Sequence, residues 1–178
     1  MLSILMSRYN GAMHQDNIDK ILAQWQHEAS TLDVSSLAVI GRILKLSQLL
    51  EKHRETVLAD FGLTVWSFDM LATLRRQGPP YQLKPTELYK WLMLSSGAMT
   101  NRIDRLEKDG MVTRLRDPND RRSVIVRLSD AGVERIDTAM PVLFEQENQF
   151  LADLSQTETV TLIALLRQCL AAVHQKTL

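Results

Sequence analysis

The sequence predicts a mainly α-helical chain with one small β-hairpin, and three observations carry that reading. Apolar residues recur at three- and four-residue spacing through most of the 178 positions, which places them on one face of a helix. Between residues 111 and 128 the pattern changes to an alternation of period two, the mark of strands. Helix stop and start signals (Gly62, Thr64, Gly78-Pro79-Pro80, Pro85, Gly110) divide the helical stretches into short units around that hairpin.

Taken in order, residues 15–30 form a helix with Ile18, Ile21, Leu22 and Trp25 on one face. Asp33 or Ser35 starts a second helix, which runs to about residue 60 and ends at Gly62. Thr64 caps a helix over 65–77. Pro85 sits in the first turn of a helix Pro85–Leu92, where its missing N–H costs nothing. Met93-Leu94-Ser95 is a tight turn, and Ser95 or Ser96 caps a helix that runs to Asp109. Met111–Arg116 and Ser123–Leu128 are strands, joined by a turn over residues 117–122. Helices over 129–152, kinked at Pro141, and 156–175 complete the chain. This is the order of a winged helix-turn-helix over 64–128, set within a single domain. The long helices on either side, 15–60 and 129–178, are those a dimer would use.

Composition narrows the function. With 45% apolar residues and no run near the ~18 needed for a membrane span, a soluble, cytoplasmic chain is expected. The opening Met1–Met6 is too short for a signal peptide and reads as a frayed leader or an over-long start. His14, His27, His53 and His174 are scattered, with no metal-ligand spacing and no nucleophile–base grouping, so neither catalytic nor metal residues are assigned and no cofactor is expected. The single cysteine, Cys169, shares a helical stripe with Leu166, Leu170 and Val173 and reads as a core residue. The net charge is zero, yet residues 84–127 carry ten basic and six acidic side chains.

That basic segment holds the candidate reading surface. On the helix after Ser96, Met99, Ile103 and Leu106 share an inward stripe, while Asn101, Asp104, Arg105 and Lys108 lie opposite. An amide and cations on such a face suit the major groove, where Asn pairs with adenine and Arg with guanine. Ser95, Ser96 and Thr100 near the helix start suit phosphate. The hairpin adds Arg114, Arg116 and Arg127 on its strands and Arg121 and Arg122 at its tip. An Arg at a thin β tip reaches a minor groove, and Asp120 is close enough in sequence to orient Arg122.

These residues resemble the MarR family of bacterial repressors. The motifs carrying the resemblance are Leu63-Thr64, Pro85-Thr86-Glu87-Leu88, Gly97-Ala98-Met99-Thr100-Asn101-Arg102, Asp104-Arg105-Leu106-Glu107, Asp117-Pro118-Asn119-Asp120-Arg121-Arg122 and Leu128-Ser129-Asp130-Ala131-Gly132. The resemblance implies a homodimer on a pseudo-palindromic DNA operator, with Arg122 in the minor groove held by Asp120. The stretch Phe68–Tyr81 and the additional N-terminal helix with Trp25 are similar to the urate-responsive, PecS-like branch. That likeness implies a small aromatic anion such as urate as ligand, bound by Trp25, Asp69, Arg76 and Arg102.

Spacing is compatible with this set. Asp69 and Arg76, seven residues apart, share a helix face ~10 Å apart along the axis. Arg75 is the neighbour that could substitute for Arg76. Arg102 sits at the edge of the apolar stripe, where it can point back into the protein. Two other readings remain open: a repressor switched by oxidation of Cys169, and a winged-helix adaptor that does not bind DNA.

Overall fold

The computed structural model describes residues 15–92, 96–118 and 120–177, with the side chains of residues 96, 97, 120–122, 176 and 177 left aside. The expected leader, the turn Met93-Leu94-Ser95 and Asn119 lie outside the described residues. Two compact units are distinguished, residues 1–55 and 56–178. Among the described residues no helix is long and apolar enough to cross a membrane.

In the first unit, α1 (Asn17–Glu28) begins at a capping box in which Asp16 accepts from the Ile18 and Asp19 amides and the Asp19 carboxylate accepts from the Asp16 amide. The next helix, α2 (Leu37–Ala59), starts two to four residues later than expected. Asp33 instead accepts from the Ser35 amide in the turn that precedes it. Arg42 of α2 donates to both Asp16 and Asp19, at 2.9 and 2.7 Å, which ties α2 to the start of α1. This bond from Arg42 is the main reason the Asp19 carboxyl lies below its ordinary range. The helices meet closely at Gly41, where an added Cβ would lie 3.1 Å from Ile18.

The second unit is built on α3 (Val65–Arg75). Thr64 caps it through a reciprocal box with Ser67, and Gly62 before it takes the left-handed conformation that ends α2. Met70, Leu71 and Leu74 of α3 are fully buried with Leu58, Ile136 and Leu143. After Gly78 and Tyr81, both at positive φ, comes a short strand that the sequence did not announce, β1 (Gln82–Leu83). Two residues are too few to display an alternation. Then follow α4 (Pro85–Leu92), α5 (Ser96–Lys108), β2 (Val112–Asp117), β3 (Asp120–Leu128), α6 (Asp130–Gln149) and α7 (Gln156–Thr177).

The sheet is antiparallel in the order β1-β3-β2. Asp117 pairs with Asp120, so two residues separate the strands, not the six-residue turn expected. Both strands run further toward the tip than expected. At the base, the Ser129 hydroxyl caps α6 through the Gly132 amide and donates to the Gly110 carbonyl. A Cβ at Gly132 would fall 2.1 Å from the Met111 carbonyl oxygen, so this close approach of α6 to the wing requires glycine. Helix α6 continues through Pro141 as one element.

One expectation is corrected. Cys169 does not lie in a core; it is exposed in the single chain. Its stripe-mates are exposed with it, and every described residue from Leu162 to Gln175 is solvent-facing. The stripe was read properly as apolar, but among the described residues it stays exposed.

Candidate nucleic-acid interface

Helix α5 is oriented by its apolar stripe. Met99, Ile103 and Leu106 are each 2% exposed and join the core with Leu88, Val112 and Val126. Burying that stripe turns Thr100, Asn101, Asp104, Arg105 and Lys108 outward, all of them exposed. Arg105 pairs along the helix with Asp109 at 3.0 Å, a weak surface contact that leaves its other guanidinium nitrogens for a partner. Ser96 is the first residue of α5, while Ser95 lies outside the described residues.

The wing is braced against this helix. Arg114 of β2 was expected among the outward cations of the hairpin. It is instead half-buried and donates to both Asp104 and Glu107 of α5, while its amide bonds Glu107 at 3.1 Å. Burial alone would lower the Arg114 pKa, but the two carboxylates outweigh it and the net shift is upward. At the outer end of β2, Asp117 is buried and pairs with Lys84 at 2.7 Å. Arg116 stays exposed and Arg127 half-buried. The tip residues Asp120, Arg121 and Arg122 belong to β3, and their side chains lie outside the described ones.

The residues assigned to a small anion divide between the two units. Trp25 is exposed on α1 of the first unit. In the second, Asp69 is half-buried on α3 and Arg76 is the exposed C-cap of the same helix. The Arg76 guanidinium lies 5.2 Å from the Trp91 ring centre, and that of Arg102, half-buried, 5.4 Å from Trp66. Arg102 thus points toward α3. Arg75, the alternative to Arg76, is committed elsewhere. It donates to both oxygens of Asp137 on α6, at 2.7 and 3.1 Å, and covers the Tyr81 ring at 4.5 Å. The Asp137 bond raises its pKa further. The sequence reading missed Trp66 and Trp91, although Trp66 is one helical turn before Asp69 and shares its face.

The MarR family model matches residues 63–124, which contain α3, the helix pair and most of the wing. The HTH-type transcriptional regulator PecS of Dickeya dadantii (strain 3937) is 36% identical over 149 residues, 84% of this chain and 90% of that protein. A mutant MarR from E. coli, solved in complex with operator DNA, superposes with a TM-score of 0.67 at 29% identity, covering 78% of this chain and 99% of that one. AbsC of Streptomyces coelicolor, a MarR family transcriptional regulator, shares the fold with a TM-score of 0.73 over 82% of this chain and 97% of its own, at 22% identity. These relatives are regulators of transcription, not enzymes. On this extent of identity and coverage, the chain belongs to the MarR family.

Proposed function

We propose that this DNA-binding transcriptional regulator is a homodimeric repressor, released from a pseudo-palindromic operator by urate or a similar small aromatic anion. The observation that carries DNA reading is the division of α5, with Met99, Ile103 and Leu106 buried and Asn101, Arg105 and Lys108 exposed opposite them. In this reading Asn101 and Arg105 contact base edges in the major groove. Ser95, Ser96, Thr100 and Lys108 contact phosphates, and Arg121 and Arg122 enter the minor groove with Asp120 holding Arg122. The likeness to a MarR solved with operator DNA supports the same docking. The bare apolar helix α7 supports a second copy as partner, with residues 15–60 and 129–178 supplying the dimerisation helices.

Asp69, Arg76 and Arg102 form the ligand set, with Trp25 added on the resemblance. The anion repels Asp69 and draws Arg102, tilting α5 out of register with the groove. To act, it must favour the released state by a few kcal/mol, about 2–5. Titration of urate against an operator complex is the test. Release by millimolar urate from wild type but not from Arg102→Ala is expected; no release from either sinks the urate reading. Separately, Arg122→Ala should weaken operator binding by about 1–3 kcal/mol, and an unchanged footprint would remove the wing assignment.

A further inference from the structure

The two arginines assigned to the anion share a feature that the assignment did not require. Each rests on the face of a tryptophan, Arg76 on Trp91 at 5.2 Å and Arg102 on Trp66 at 5.4 Å. Among the described residues, neither guanidinium makes an ion pair.

The placement of the four side chains is equally regular. Trp66, Asp69 and Arg76 recur at three- and seven-residue intervals on α3 and therefore form one stripe, ~15 Å long from first to last. At the N-terminal end of that stripe Arg102 reaches in from α5; at the C-terminal end Trp91 reaches in from α4. Asp69 lies between. A guanidinium lying over an aromatic ring offers one flat face to the ring and keeps its N–H groups in its own plane. Those in-plane donors suit a planar anion that accepts two parallel bonds.

We infer that Trp66 and Trp91 are positioning residues of the anion site, each holding one arginine with its N–H edge presented to a flat, delocalised anion. This rests on the proposed ligand reading and adds two residues to it. Trp66 also keeps Arg102 on the protein side of α5 in the unliganded state, so that the cation is preset for the ligand and withheld from DNA.

The experiment uses the full chain on operator DNA, with urate as probe and four variants: Trp66→Leu, Trp66→Phe, Trp91→Leu and Trp91→Phe. The leucine variants should need at least ten times more urate for half-release, and the phenylalanine variants, which keep a ring face, within threefold of wild type. Trp66 packs against the core and its leucine variant can lose stability, whereas Trp91 is 60% exposed and its variant tests the same idea without that risk. A spectroscopic readout accompanies the titration. The Arg76 and Arg102 side-chain Nε–Hε resonances should be shifted upfield by their rings and should each return only in the leucine variant of its own tryptophan. A wild type that releases with urate while Trp91→Leu and Trp66→Leu release alike overturns this inference and leaves the ligand reading standing. A wild type indifferent to urate overturns both.

Discussion

The winged lobe and the last helix both carry apolar stripes, yet among the described residues the lobe buries its stripe and the helix does not. In the lobe, Leu88, Met99, Ile103, Leu106, Val112 and Val126 are at most 2% exposed, and Arg114 and Lys84 brace the strands with ion pairs. In α7, Leu165, Leu170 and Val173 are more than half exposed. An apolar stripe is a demand for a partner surface, and among the described residues that demand is met in the lobe and not on α7. The lobe is therefore a reading head whose geometry its own sequence sets, and α7 is the surface that the proposed second copy would cover.

The sharpest way to break that contrast is to charge α7. Leu166→Asp with Leu170→Asp should convert a dimer to a monomer in sedimentation analysis and reduce operator affinity by 100-fold or more, because two half-sites then bind independently. A double variant that stays dimeric would place the interface elsewhere. Ile103→Ala should act differently. Loss of a buried side chain costs about 2–5 kcal/mol in chemical denaturation and leaves a dimer's protein-concentration dependence in place, which the monomeric α7 variant loses. If both variants showed the same concentration dependence, lobe and α7 would not be separable.

The smallest expected effect lies in the first unit. The Asp19 carboxyl is held below its ordinary range, chiefly by the bond from Arg42. A carboxyl with a depressed folded value contributes stability that is fully present above the unfolded value and is lost as pH falls through the folded one. Amide protection in α1, measured against the intrinsic exchange rate at each pH, should thus be steady near neutrality and fall below pH ~4. Asp19→Asn should remove that dependence; an α1 that frays equally at pH 7 and pH 3 would discount the contact.

How far these features were legible before any coordinates depended on how local they are. Thr64, Gly62 and Gly110 announce themselves because caps and left-handed turns are settled within four residues. The inward stripe of α5 followed from the helical period. Strand β1 escaped notice because two residues carry no pattern, and the hairpin turn was over-extended because Asp120–Arg122 read as turn residues, whereas they belong to β3 and Asp120 pairs with Asp117.

The side-chain partners over long separations were another matter. Arg75 and Arg76 are neighbours of the same type, and nothing in their local sequence assigns Asp137 to one and the Trp91 ring to the other. Arg114 looked like any wing cation until Asp104 and Glu107 came within reach.

The sequence by itself determined the helices, the hairpin, the family and which face of α5 turns outward, since periodicity and capping are local physics. Only the tertiary structure decided which arginines are already engaged, which two rest on tryptophan rings, and that the Cys169 stripe is left bare. Ion pairs, ring contacts and burial each depend on residues brought together from distant positions, and no single segment encodes its partner.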